Sequence, residues 1–208
     1  QLESPGMMNL MRRMEIQSFD DIAVCIALFR PGPMENIPLF LKRRADPSSV
    51  RYLHPELIPI LKDTHGIIVY QEQIMQIANQ FAGYTYGEAD VLRRAVSKKK
   101  EDVLIKERHT FIEKAKAMGR DEAISDEIYD YIVKFANYGF NKSHSVVYAL
   151  VAYWMAYLKA NYPDYFMGAL LDNAIGSSTA TNLYIKESQK LNLSILPQLI
   201  NQSQKYYH

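Results

Sequence analysis

The sequence predicts a mainly α-helical fold with short irregular connectors and at most a minor strand element. Two observations carry this expectation: apolar residues recur at three- and four-residue intervals over long stretches, and capping residues and glycines bracket those stretches. A third is the shortage of extended patterns, since only Gly66-Ile67-Ile68-Val69-Tyr70 reads as a short strand.

Taken in order, Asp20-Asp21 ahead of the apolar run Ile22 to Leu28 reads as a short buried helix with acids at its positive end. Arg30-Pro31-Gly32-Pro33 stops it, because neither proline donates a backbone hydrogen bond and each restricts the residue before it. From there to His65, the prolines at 38, 47, 55 and 59 break the chain into turns and helical scraps, a connector wrapped on a core. The apolar run at 66–70 leads straight into residues 71–82, whose apolar positions 74, 77, 78, 81 and 82 keep helical spacing, so helix wins there, with Gly83 as its stop.

Thr85-Tyr86-Gly87-Glu88 fits a capping box, which opens a helix near Tyr86 that turns Ala89, Leu92 and Val96 inward and carries Arg93 and Arg94 on its last turn. Glu101-Asp102 opens another, with Val103, Ile105, Phe111 and Ile112 among its apolar positions, reaching Met118-Gly119. Ser125-Asp126-Glu127 caps the next, whose buried stripe is Ile128, Ile132 and Phe135-Ala136, and Gly139 ends it. Ser143 is expected to cap a long helix from about His144 to Asn161, and Pro163-Asp164 begins a last one through Leu171.

With 208 residues, 48% of them hydrophobic, the chain can bury a sizeable core. The net charge of +1 excludes a polycation of the histone kind and directs attention to local asymmetry. Residues 71–120 carry ten bases against seven acids, whereas 1–70 are balanced at eight each and 121–208 hold six against eight. The single Cys25 lies in an apolar run and has no partner for a disulfide, so the default compartment is the cytoplasm. No apolar run approaches the ~18 residues that span a bilayer. The chain starts at Gln1 and stops without a clear structural end, as a piece of something longer does.

The densest chemistry is Arg93-Arg94-Ala95-Val96-Ser97-Lys98-Lys99-Lys100, five cations in eight residues, a site for an anion with several oxygens. Adjacent helix residues point about 100° apart, so the two arginines are expected to embrace a bound group from two sides. Tyr138-Gly139-Phe140-Asn141-Lys142-Ser143-His144-Ser145 offers further donors where a helix begins, with free amides and partial positive charge at its cap. The plain alternatives are a solvated charged face and an ordinary cap.

Catalytic carboxylates are missing. Glu88 and Asp90 come nearest to a pair, yet residues two apart on a helix diverge by about 200° and cannot chelate together. The five histidines show no HExxH or Cys/His ligand pattern, and there is no GxxxxGK phosphate loop. The fifteen tyrosines mostly occupy apolar helix positions and read as core or boundary residues; Tyr70, Tyr84, Tyr86 and Tyr138 adjoin the motifs and could stack a base or sugar.

At this point the residues resemble a known family, the replicative C-family polymerases of bacteria, and within them the fingers region of the DNA polymerase III α subunit. The resemblance rests on Gln1-Leu2-Glu3-Ser4, Ala27-Leu28-Phe29-Arg30-Pro31-Gly32-Pro33, Gly66 to Gln73, Leu92-Arg93-Arg94-Ala95, Lys98-Lys99-Lys100 and Tyr138 to Ser145, in one order along nearly the whole chain. It implies a helical fingers domain: residues 1–65 as its N-terminal helical and connector part, 66–175 as the helical core with the nucleotide-binding motifs, and 176–208 as its end and the start of the following region.

The resemblance also implies a DNA-directed DNA polymerase, a nucleotidyltransferase of DNA replication, whose palm carries the aspartates and magnesium while the fingers bind the incoming dNTP. This stretch has no palm, so it holds no catalytic residue, binds no metal itself and is expected to be silent alone. Primer-template DNA, the palm and other domains, and the sliding clamp and other replisome subunits are the implied partners, with no membrane. Carried over by position, Arg93 and Arg94 correspond to triphosphate-gripping arginines, and Lys98, Lys99, Lys142 and His144 extend the pocket. Arg30, Tyr70, Gln71, Gln73, Asn141 and Ser143 are weaker candidates for shaping it. The rival readings are a non-catalytic helical module that binds nucleic-acid backbone and a helical scaffold that docks a partner protein.

Overall fold

Ser4 starts a helix that the sequence reading did not anticipate. In α1 (Pro5–Met14) its hydroxyl accepts from the Met7 amide at 3.3 Å, and Pro5 sits in the first turn, where its missing N–H costs nothing. Gly6 lets the helix pass close to Phe29, since a Cβ there would lie 2.5 Å from the ring. The computed structural model describes the chain apart from residues 1, 99, 100, 137, 138, 198, 200, 202–206 and 208, and describes no side chain at 97, 98, 101 and 136. Among the described residues there are eleven α-helices, with four short 3-10 turns between residues 33 and 64, and β pairing is limited to a single parallel bridge, Tyr70 with Phe140.

The first of two compact units spans residues 1–149. Its α2 (Phe19–Leu28) opens with Ser18 and Asp21 capping each other, three residues earlier than the apolar run alone indicates. Asp21 also pairs with Arg44 at 2.5 Å, at the end of α3 (Ile37–Ala45). Burial pushes the Asp21 carboxyl up, but the Arg44 guanidinium and the Gln17 and Ser18 amides outweigh it and hold the group below the usual aspartate range. The connector thus contains one true helix, with a short α4 (Ile58–Leu61) before the apolar run at 67–70, which is buried throughout and packs without a sheet.

Four helices build the centre of this unit: α5 (Gln71–Ala82), α6 (Tyr86–Lys98), α7 (Glu101–Ala117) and α8 (Glu122–Ala136). Phe111 of α7 is fully buried and its ring lies 6.2 Å from Phe81 of α5 and 5.7 Å from Tyr129 of α8. Burying one such side chain contributes about 1.5–3 kcal/mol. Gly83, at φ +69°, takes the left-handed conformation that ends α5, as expected. Two local expectations fail. Ile105 is exposed, and α8 starts at Glu122, because Asp121 caps the Ile124 amide while Ser125 is buried and turns its hydroxyl back to the Asp121 carbonyl.

The long α9 (Lys142–Asn161) is the next element, and the second unit, residues 150–208, begins within it. That unit contains α10 (Pro163–Asn173), two residues longer than expected, and α11 (Ser178–Lys190), which was not anticipated and is capped by the Ser177 hydroxyl. Met167, Leu171 and Ala174 are buried there, and Lys159 pairs with Glu187 at 2.7 Å. Tyr148, Tyr153, Tyr157, Tyr162 and Tyr165 are exposed rather than core residues. α9 is apolar around its circumference, and Val147, Val151, Trp154, Met155 and Leu158 are exposed along it as well. Among the described residues no helix is long and apolar enough to cross a membrane.

Candidate functional site

The two cationic motifs of the sequence meet at the start of α5. The Phe140 N–H donates to the Val69 carbonyl and the Gln71 N–H donates to the Phe140 carbonyl, both at 2.9 Å, which clamps the chain ahead of α9 onto residues 69–71. Gly139 permits this approach, since a Cβ there would lie 3.1 Å from Gln71 Cγ and 3.3 Å from its backbone nitrogen. On the next residue, both carboxylate oxygens of Glu72 accept the Lys142 N–H at 3.0 Å. Gln71 reaches the other motif: its Oε1 accepts from Arg93 Nη1 at 3.1 Å. Consecutive residues of one helix start therefore hold Arg93 and the N-terminus of α9.

Arg93 and Arg94 lie in the middle of α6 and not on its last turn, because the helix continues to Lys98. Ala89, Leu92 and Val96 form its buried stripe and fix the rotation of the helix. The arginines do not diverge as their 100° separation predicts, for Asp90, one turn earlier, draws both in. Its Oδ1 accepts from Arg93 Nε at 2.9 Å and Nη2 at 2.6 Å, and its Oδ2 accepts from Arg94 Nη2. Arg93 is 21% exposed and Arg94 60%, so one guanidinium is seated against the protein and the other stands in solvent. The Arg93 guanidinium, and then that of Arg94, hold the Asp90 carboxyl below the ordinary aspartate range.

At the start of α9, the Asn141 side chain is the cap: its Oδ1 accepts the His144 N–H at 2.8 Å. Ser143, expected in that role, is an exposed residue of the first turn, and the helix opens two residues before His144. The His144 ring packs against Phe140 and Tyr148, with centroids 5.3 and 4.5 Å apart. Lys142 Nζ lies 5.5 Å from the Tyr70 ring centre, and the Arg30 guanidinium lies 4.4 Å over the Phe140 ring. Arg30 thus packs on Phe140 of the second motif, and burial lowers its pKa from the arginine norm.

Two of the twelve candidates are buried. Gln73 is 5% exposed and fully engaged: Oε1 accepts from the Val69 and Tyr70 amides at 2.8 and 3.0 Å, while Nε2 donates to the Ile60 carbonyl and the Thr64 hydroxyl at 3.1 and 2.8 Å. Tyr70 is 4% exposed, and burial raises its phenol pKa despite a hydrogen bond with Ser145. Lys98 is helical with its side chain outside the described residues; Lys99, Lys100 and Tyr138 lie outside them altogether. Tyr84 is buried under Lys114, and Tyr86 is exposed.

Sequence reading weighed Asp90 only as half of a carboxylate pair and missed it, with Glu72, as a partner of the motifs, although Asp90 stands at the i,i+3 and i,i+4 spacing from the arginines that joins opposite charges on a helix. Magnesium finds no fitting set here. Among the described residues no three His, Cys, Asp or Glu side chains converge, Asp90 is engaged by the arginines, and Glu88 is held by Thr85 and Lys114. Those contacts, the Thr85 amide first, depress the Glu88 carboxyl to about 2.

The chain is similar to proteins of known name. It is 52% identical over its whole length to the "DNA polymerase III subunit alpha" of Staphylococcus aureus (strain Mu50 / ATCC 700699), and likewise 52% identical to that of Staphylococcus epidermidis. In both cases the chain spans 19% of the length of the curated relative. The family described as "Bacterial DNA polymerase III alpha subunit finger domain" matches residues 1–119, which include α1 to α7 and both arginines. The mainly helical fold, the ordered motifs and this match agree: the chain belongs to the bacterial DNA polymerase III alpha subunit finger domain family.

Proposed function

We propose that Arg93 and Arg94, with Lys142 and the start of α9, bind the triphosphate of the incoming dNTP during template-directed DNA synthesis by a longer polymerase of which this chain is the fingers. The observation that carries the reading is the pair of contacts from Gln71 and Glu72, which bring the arginine helix and the donor-rich start of α9 to adjacent residues. Asn141, Ser143 and His144 line the same helix start, and Lys98 and Lys99 extend the cationic run along the sequence. Gln71, Tyr70, Gln73 and Arg30 support these groups from beneath.

The chemistry follows from charge. As the primer hydroxyl attacks the α-phosphorus, the bond to the pyrophosphate breaks and negative charge accumulates on the leaving oxygens. A planar guanidinium fork meets two of those oxygens at once, each charged hydrogen bond contributing about 1.5–3 kcal/mol. Lysine keeps the charge and loses the fork. Magnesium and the carboxylates that hold it belong, in this reading, to a palm outside this chain, so the chain by itself is catalytically silent. Primer-template DNA, the remaining polymerase domains, the sliding clamp and other replisome subunits are its partners, and the cytoplasm is its compartment.

The test is single-nucleotide incorporation by the full-length polymerase carrying Arg93→Lys or Arg94→Lys. Either change raises the dNTP KM or slows incorporation at least about tenfold, a loss of one good charged contact. Unchanged incorporation in both variants removes the arginines from the site. A backbone-binding module behaves otherwise: its affinity for DNA falls with a slope of about −0.9 per phosphate contact on log salt and is untouched by free nucleotide.

A further inference from the structure

The two oxygens of Asp90 are divided between two residues. Oδ1 serves Arg93 through Nε and Nη2, and Oδ2 serves Arg94 through Nη2. Neighbouring residues on a helix project about 100° apart and two guanidiniums repel, so α6 left to itself would splay these side chains. A single carboxylate one turn toward the N-terminus overcomes both tendencies. Asp90 is itself 29% exposed and sits beside the fully buried Ala89, so its backbone is fixed while its side chain stays at the surface. Arg93 is held on a second side by Gln71, and this makes Asp90 the shared link that adds the more exposed Arg94 to an already seated Arg93.

We propose that Asp90 is a positioning residue that gathers the Arg93 and Arg94 guanidiniums into one donor surface ahead of triphosphate binding. The inference rests on the reading of the two arginines given above. Two effects compete when Asp90 is lost. Removing a negative charge strengthens the attraction for a polyanion, but the site is exposed and salt screens that gain. Releasing two long side chains raises the ordering cost of binding by about 2- to 10-fold in affinity for each one immobilised. The ordering cost is the larger, so loss of Asp90 weakens binding.

The experiment uses full-length polymerase with Asp90→Asn, Asp90→Ala and Asp90→Glu, alone and in an Arg93→Lys/Arg94→Lys background, reading dNTP KM and kcat separately at near-physiological salt. Asp90→Asn and Asp90→Ala are expected to raise KM about fivefold with kcat changed less than about twofold. Asp90→Glu keeps a carboxylate within reach of the same partners and leaves KM near the parental value. In the double-lysine background, Asp90→Asn adds nothing further, because its effect passes through the arginines. An unchanged or lowered KM in Asp90→Asn, or an equal effect in the double-lysine background, overturns the inference. If the double-lysine variant itself keeps both the parental KM and the parental kcat, the triphosphate reading falls and this inference with it. If that variant is impaired while Asp90→Asn is not, Asp90 alone is wrong. Urea midpoints of all variants are expected to agree, since the surface pair contributes little to folding.

Discussion

Gln71 and Arg93, 22 positions apart, meet side chain to side chain, with Nη1 of the arginine donating to Oε1 of the glutamine at 3.1 Å. The same glutamine gives its backbone N–H to Phe140, so one residue registers α6 against the chain that leads into α9. Gln71→Ala keeps the backbone bond and removes only the side-chain acceptor. We expect it to raise the dNTP KM of the full-length polymerase about threefold while leaving the urea midpoint in place, a half-exposed hydrogen bond having a modest net value.

Gln73, two residues on, has the opposite character. Its removal orphans two buried amides, a carbonyl and a hydroxyl. Gln73→Ala is expected to destabilise the fold by about 3 kcal/mol, read from urea unfolding, and to speed hydrogen exchange at the Val69 and Tyr70 amides. An unchanged midpoint would show that water replaces the side chain without cost.

Gly139→Ala tests the close approach. The added methyl meets Gln71 at 3.1 Å and its backbone nitrogen at 3.3 Å, and backbone yields less readily than a side-chain tip. The expected result is a loss of about 1 kcal/mol in stability together with a raised dNTP KM, because Gln71 shifts and carries Arg93 with it.

These contacts mark the limit of what the sequence made legible. The central helices α5 to α8 follow from apolar spacing and glycine stops, since burying Ile74, Phe81, Leu92, Phe111 and Ile132 leaves one face for each helix. Boundaries fixed by side chains folding back on the backbone were harder to read. Ser4-Pro5-Gly6 is a helix start although it contains two residues that commonly break helices, and Ser125 resembles a cap although its hydroxyl serves the Asp121 carbonyl. Asn141 caps α9 where Ser143 was expected. In the candidate site the cations were visible as a run of charge, but their partners Gln71, Glu72 and Asp90 depend on tertiary approach or on a choice among several nearby acids.

Acid stability gives an independent check on the start of α6. Glu88 has a folded pKa of about 2 against an ordinary value of 4.5, because the Thr85 amide and Lys114 bind its charged form. A depressed folded pKa means that the unfolded chain takes up the proton first, so this stabilisation is complete above pH ~4.5 and is lost as pH falls toward 2. Glu88→Gln should flatten the pH dependence of the urea midpoint across that window and leave it unchanged above it. A parallel dependence in variant and parent would contradict the assignment.

The most direct measurement is the structure of the full-length polymerase with primer-template DNA and an incoming dNTP. The account predicts at least one two-pronged contact from Arg93 or Arg94 to β- or γ-phosphate oxygens, with the start of α9 on the same side of the triphosphate. A triphosphate held wholly by other residues, with both guanidiniums still resting on Asp90, would contradict it.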